Sequence, residues 1–267
     1  MKLLSMTLGA LVAASLLSLP AEAVTREEAT IEQSLIVLRE LQAIPDTQIP
    51  DLLLSRAEGI IILPANVKVG LMFGASFGKG IMLVRNPDRS WSNPVYVKTG
   101  GGSWGLQAGG QVSDIVLVLT TRESIDGITD GKLTLGAGAS VAAGPVGRSA
   151  SAATSMNFDS EIYAYSKTQG LFAGISLEGN GILIDKKANK AFYNEHDGAG
   201  EILASKVAPP APAPELVAEV TKLTTNASTS VASDEAAKEP APAQPASEAK
   251  TYPLPDPEPG KEPPGSN

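Results

Sequence analysis

The chain of 267 residues has no cysteine, a single histidine and few aromatic side chains. Without cysteine there can be no disulfide, no thiolate metal site, no cysteine nucleophile and no lipoprotein anchor built on that residue. One histidine, His196, rules out a multi-histidine metal centre. A basic footprint is missing as well. The formal charge of −8 argues against nucleic acid as a partner. Nor does any apolar run reach the ~20 residues that a membrane-crossing helix needs. The run from Leu8 to Leu19 is shorter, follows Lys2 and precedes Ala21, Glu22 and Ala23. That order is the pattern of a secretory signal peptide with an A-x-A cleavage site. The expectation is a signal peptide over 1–23 and a mature chain from Val24, exported to a bacterial periplasm or secreted.

Proline and glycine are plentiful but segregated. Thirteen of the 20 prolines follow Val207, whereas the 26 glycines concentrate before Gly200. Residues 207–267 are rich in alanine, proline and acidic side chains, with nine acidic and four basic residues. Such a segment has little to bury and reads as a disordered tail with polyproline stretches. A short transient helix over 215–223 is the one exception. The tail holds −5 of the −8, so the folded part, 24–206, is close to neutral.

Within that part the sequence repeats itself. Gly170, Leu171, Gly174 and Ser176 follow Gly70, Leu71, Gly74 and Ser76 at a spacing of 100. A fainter echo begins at Gly105. In both full copies apolar residues alternate with glycine or small polar ones, the period of a strand with one oily face. The Gly-x-Gly after each strand reads as a turn, making each copy a hairpin.

Before the repeat, Ile31, Leu35, Leu38 and Leu41 lie at helical spacing, with Thr25 and Glu28 placed as a capping box. This helix either inserts into membranes or lies on the sheet. Glu27, Glu28, Glu32 and Glu40 against Arg26 and Arg39 favour the sheet, because surface-seeking helices are basic on their polar face. Residues 50–57 read as a short helix, 59–63 as a strand stopped by Pro64, and 95–98 as a strand before a glycine link. The unbroken apolar run 114–119 reads as a strand buried on both faces. A short helix over 122–128, strands over 133–143 and 162–166, and a strand or turn at 191–193 complete the pattern.

Enzyme motifs fare poorly. Gly74 to Lys79 fails as a P-loop because Gly80 stands where Ser or Thr is required. Gly136 and Gly138 lack the third glycine of a dinucleotide fingerprint. Gly74, Ser76 and Gly78 spell G-x-S-x-G, and Asp185 and His196 follow in hydrolase order. That elbow must join a strand to a helix, and here it leads into another strand. Glu195 and Asp197 beside His196 form an ordinary polar turn rather than a cation site. Trp91 and Trp104 read as core aromatics. No catalytic residue, metal or cofactor emerges.

Four stretches resemble one family. Residues 57–64 (AEGIIILP), 89–97 (RSWSNPVYV), 141–148 (VAAGPVGR) and 162–179 (IYAYSKTQGLFAGISLEG) together are similar to the SYLF domain. The resemblance spans roughly 29–194. It implies a lipid-binding, non-enzymatic module, since eukaryotic relatives bind phosphoinositide membranes and some bind actin. The expected architecture is α+β: a mostly antiparallel, strongly curved or barrel-like sheet, an N-terminal helix packed on it and a disordered C-terminal tail. Lys68, Lys79, Arg85, Arg89 and Lys98 form the strongest local basic bias, opposed by Asp88 alone, and suit lipid phosphates. Arg148 and Lys167 join them because they lie in the segments most like the family. Ile31, Leu35 and Leu38 are the candidates for membrane insertion by the helix. The expected function is peripheral binding of anionic phospholipid at the envelope. The alternative is an interaction module in which the core and the proline-rich tail engage an envelope protein. Actin follows by analogy with eukaryotic relatives.

Overall fold

A computed structural model describes residues 24–43, 48–70, 73–104, 109–145, 159–168, 171–173, 179–196 and 198–238. The first helix, α1 (Arg26–Ala43), starts where the capping box predicts. The Thr25 amide donates to Glu28 Oε2 at 2.7 Å, and the Glu28 amide donates to Thr25 Oγ1 at 3.1 Å. A five-residue helix, α2 (Asp51–Ser55), leads into two long strands, β1 (Gly59–Gly70) and β2 (Phe73–Val84). Then come β3 (Val95–Trp104), β4 (Gly109–Leu119), α3 (Arg122–Thr129), β5 (Val141–Ala143), β6 (Ile162–Thr168), β7 (Leu171–Ala173) and β8 (Asn180–Ile184). Three helices follow: α4 (Lys186–Phe192), α5 (Ala199–Leu203) and α6 (Ala213–Lys238).

The strands form one sheet in the order β5-β6-β4-β1-β2-β3-β8, with β7 also pairing β6. Every pairing is antiparallel except β5 with β6. Six inter-strand steps would separate the two edges by about 29 Å in a flat sheet. Yet one short segment bonds to edge strand β8 and to β6, the strand beside the other edge. The Leu135 amide donates to Asn180 O of β8, and the Ile162 amide of β6 donates to Ser140 O. Residues 135–140 extend at most roughly 18 Å, so the sheet must curl into an open half-barrel. The inner face holds Ile61, Leu63, Met82, Val97, Ile115, Leu117 and Ile182, closed over by Leu133, Leu135 and α3. The outer face holds Ile60, Ile62, Ile81, Leu83, Val116 and Val118 beneath α1, α2, α4 and α6. This is the α+β, curved-sheet architecture expected, with the N-terminal helix on the sheet.

Several local expectations are corrected. Pro64 does not stop β1: a bulge at 64–66, with Ala65 at φ 53°, carries the strand on to Gly70. Neither copy of the repeat is a hairpin. In the first, β2 runs straight through Gly78 and Gly80. These glycines admit the bulge. A Cβ on Gly80 would sit 1.9 Å from Ile62 O, and one on Gly78 would sit 2.4 Å from Asn66 Oδ1. In the second copy β7 pairs β6 while β8 pairs β3, so its two strands are not partners. The glycines at 100–102 lie within β3, residues 133–143 form a strand only at β5, and 191–193 fall at the end of α4.

The largest correction concerns the tail. Residues 213–238, expected to be disordered, form α6, which packs against α1 and α2. Ala213, Leu216, Val220, Thr224 and Ala227 are buried at helical spacing. Pro214 sits in the first turn, where its missing N–H costs nothing. Arg39 ties α1 to Glu215 and Glu219 at 3.0 and 3.5 Å. The folded unit therefore runs past residue 206, and 239–267 lie outside the described residues.

Candidate functional site

The described basic residues singled out from the sequence divide among four places. Arg85 and Arg89 stand at the α2 end of the sheet and are committed to the fold. Arg85 is buried, with its guanidinium carbon 4.4 Å from the centre of the Trp91 ring. It donates to Arg89 O at 3.0 Å. Burial first, and then the neighbouring Arg89 charge, pull its pKa down to about 10, so it stays charged at neutral pH. Arg89 takes a left-handed φ of 68° to close the turn at 86–90 and reaches Glu58 at 3.0 Å and Ser55 O at 2.8 Å. Arg122 holds the same Glu58 at 2.9 Å. Trp91, core as expected, donates to Thr224 of α6 at 3.0 Å, which locks the last helix onto this end.

Lys79 and Lys98 stand together. They are direct partners in the β2–β3 register, on the outer face beyond the edge of α1. Two lysines opposite one another repel, and Asp185 relieves them. Its carboxylate lies 3.0 Å from Lys79 and caps α4 through the Ala188 amide. Burial pushes the Asp185 pKa up, but the hydrogen bonds from Lys79 and Ala188 and the charges of Lys79 and Lys98 outweigh it, leaving the pKa below 3.8. Asn189 of α4 fixes the geometry by bonding both backbone groups of Tyr96 on β3. Beside the pair opens a cleft of about 210 Å³, lined by Tyr96, Val97 and Ala188, by the basic Arg26, Lys79 and Lys187 and by the acidic Glu27 and Asp185.

Lys68 is separate. Its register partners are Ser76 and Gln111, which places it on the inner face at the hairpin end. Lys167 pairs with Glu40 and so joins β6 to α1. Arg148 lies outside the described residues. Ile31, Leu35 and Leu38, the membrane-helix candidates, are buried in the outer core, where they anchor α1 to the sheet.

Sequence reasoning missed the apolar part of this surface. Beyond the reach of α1 and α6, the outer face ends in Phe77, Val112 and Val69, which are 52%, 58% and 42% exposed. The register makes them one patch: Val67 pairs with both Phe77 and Val112, and Val69 follows it on the same face. Phe77 is two residues from Lys79 on the same strand. Alternation marks Val69 and Phe77 as the oily face of a strand, and Val112 joins them through the register. What it could not reveal is that the covering helices stop short of them.

Other site readings resolve simply. Ser76, the middle of the G-x-S-x-G letters, is buried inside β2 and accepts from Asn66 at 3.3 Å, so it is not a strand-to-helix elbow. Asp185 serves Lys79, and His196 lies 3.8 Å from Glu201. Among the described residues no three acidic or histidine side chains gather as metal ligands, and no helix is long and apolar enough to cross a membrane.

Comparison with known proteins gives this fold its relatives. Residues 100–223 match the family described as Ysc84, Las17-binding protein actin regulator. The chain is 39% identical over 175 residues to Protein YSC84 of Saccharomyces cerevisiae, covering 64% of this chain and 37% of that one. It is 38% identical over 168 residues to LAS seventeen-binding protein 3 of the same yeast, covering 62% and 36%. With SH3 domain-containing YSC84-like protein 1 of Bos taurus the identity is 37% over 186 residues, covering 67% and 54%. The chain thus spans between about a third and a half of these relatives. Through the domain built on this half-barrel, the chain belongs to the Ysc84/SYLF family.

Proposed function

We propose that the domain is a non-catalytic module that docks on anionic phospholipid at the cell envelope through the hairpin end of its outer face. The observation that carries this reading is the patch itself. Three exposed apolar side chains on adjacent strands stand beside a lysine pair. Exposed apolar groups that cluster rather than scatter mark an interaction surface. Adjacent lysines add attraction to an anionic surface, about 1 kcal/mol for each near the interface. Shallow insertion of Phe77, Val112 and Val69 with lysines at the phosphate level is the physics of a peripheral contact. The signal-peptide pattern in 1–23 supports a setting outside the cytoplasm.

Sedimentation of the full chain with vesicles tests this. Binding to anionic and not to zwitterionic vesicles, weakened by salt, is the expected result. Phe77→Ser with Val112→Ser reduces it at least tenfold, and so does Lys98→Glu. Lys222→Glu, an equal charge change on exposed α6, leaves it intact. Binding that ignores all three substitutions sinks the assignment.

A second reading has its own support. The matching family is described by Las17 binding and actin regulation, and an apolar patch beside lysines also suits an acidic protein surface. Failure to bind any vesicle, together with saturable binding to filaments of purified actin that Phe77→Ser abolishes, would favour it.

A further inference from the structure

Where α1, the sheet and α4 meet, the outer face keeps a cleft of about 210 Å³ that neither the core nor the apolar patch uses. Its walls are braced from three sides. The Tyr96 hydroxyl donates to Glu27 O of α1 at 2.7 Å. Asn189 of α4 accepts from the Tyr96 amide at 2.8 Å. The Phe192 ring meets Tyr96 edge-on, with centroids 5.4 Å apart. Asp185 caps α4 and holds Lys79 at 3.0 Å. A cleft built in this way is formed before any ligand arrives and loses little freedom on being filled.

Charge sorts what can enter. Arg26, Lys79 and Lys187 face Glu27 and Asp185 around the cleft, a surplus of one positive charge. Lys79 is already taken up by Asp185. Among the described residues neither Arg26 nor Lys187 is held in an ion pair. Glu27 follows Arg26 directly on α1, and successive residues of a helix do not face one another, so it leaves the guanidinium open. Between the charges lie Tyr96, Ala188 and Ala191.

We propose that the cleft binds a small aromatic monocarboxylate, its carboxylate held by Arg26 and Lys187 and its ring resting on Tyr96. The planar fork of arginine matches a carboxylate with two parallel bonds. One surplus positive charge balances a monoanion. A phosphate monoester carries about −1.5 to −2 at neutral pH, more than the surplus, and meets Glu27 and Asp185. A neutral ring leaves the two cations without a counter-charge. Size agrees as well. An engineered apolar cavity of about 150 Å³ accepts benzene, so this cleft has room for one ring and one small charged group. Edge-to-face contact with Tyr96 adds to the binding. The proposal does not rest on the membrane reading, since Arg26, Lys187 and Ala191 take no part in the apolar patch.

Isothermal titration of the full chain with benzoate, benzyl alcohol and phenyl phosphate tests this. Saturable one-to-one binding of benzoate is expected, with a Kd under about 1 mM. It should be at least tenfold tighter than either of the other probes, roughly the worth of a charge-assisted hydrogen bond. Arg26→Gln weakens it about tenfold. Ala191→Leu fills the cleft from an exposed position and abolishes binding, while the unfolding midpoint holds. Lys222→Gln, which removes a cation from exposed α6, changes nothing. No saturation by about 10 mM benzoate, equal binding of benzyl alcohol, or binding that Arg26→Gln and Ala191→Leu both retain overturns the proposal. So does tighter binding of phenyl phosphate, which would mark the cleft as a phosphate site instead. Should Ala191→Leu disturb the fold, Arg26→Gln decides the outcome, because that side chain is exposed and its loss spares the core. Vesicle binding by Ala191→Leu stays at the parent level, so failure of either reading leaves the other untouched.

Discussion

The two ends of the half-barrel use the same kinds of residue for opposite purposes. At the α2 end Arg85, Arg89 and Arg122 converge on Glu58, Trp91 and backbone carbonyls, and α6 is bolted over them by Thr224. At the hairpin end Lys79 and Lys98 have one carboxylate between them, and Phe77 and Val112 have no cover. Arginine suits the first role because its planar fork stacks and bonds several acceptors at once. Lysine suits the second, as a hydrated charge on a flexible stem that can follow a soft surface. A basic bias along a sequence therefore says little until each charge has been placed. Four of the five cations that looked like one patch belong to two structures, one closed and one open, and Lys68 stands apart on the inner face.

The strongest way to break that contrast is to cut into the closed end. Trp91→Ala removes a buried ring, its stack with Arg85 and its bond to Thr224 together. A loss of about 3–5 kcal/mol is expected from urea unfolding, in line with other large aromatic truncations in cores. Val220→Asp should approach that cost, because it places an unpaired charge in the buried stripe of α6. If Val220→Asp leaves the unfolding midpoint unchanged, α6 is not part of the folded unit.

Gly80→Ala ranks next. The added Cβ meets the Ile62 carbonyl at the bulge, where backbone rather than a flexible side chain must yield. Overpacking of this kind costs about 3 kcal/mol at the upper end of its usual range. The control is Gly100→Ala, whose Cβ finds only a loose contact, so its stability should hold or rise by up to about 1 kcal/mol.

This glycine contrast also shows where the sequence was legible. Apolar runs located β1 at 59–63 and β4 at 114–119, and the capping box placed α1, because these signals are local, whereas the alternation over 67–77 runs across the end of β1 and the start of β2. The role of the Gly-x-Gly was not local. It depends on a bulge at 64–66 in the neighbouring strand, earlier in the chain, that Pro64 and Ala65 create instead of ending the strand. Averaged composition hid α6 as well. Its buried stripe is a single line of Ala213, Leu216, Val220, Thr224 and Ala227 among threonine, serine and acidic residues, inside a segment whose prolines dominate the count. The lysines of the candidate site were named from sequence. Their separation from Arg85 and Arg89, and the apolar patch beside Lys79, required the register.

At the open end the expected changes are in binding and not in stability. Phe77→Ser should leave the unfolding midpoint within about 0.5 kcal/mol of the parent, as surface substitutions do, while its vesicle binding falls. A large destabilisation would mean that Phe77 belongs to the core, and the distinction between the two ends would fail there.

The smallest effect lies at the border between the ends, in Asp185. Its pKa is lower in the folded chain than in the unfolded one, so the unfolded state takes up its proton first as pH falls. Its contribution to stability is therefore fully present above the ordinary value of 3.8 and is lost as pH drops through the depressed folded value. Asp185→Asn removes that contribution without changing the shape of the α4 cap. Unfolding curves between pH 6 and about pH 3 should consequently show a shallower decline for the variant than for the parent, with the gap closing at the acid end. The same variant leaves Lys79 and Lys98 unrelieved and the open end one charge more positive, so binding to anionic vesicles should tighten as stability at neutral pH falls. Opposite signs for the two readouts are what a border residue requires. If both decline together, Asp185 is shaping the docking surface and not merely neutralising it.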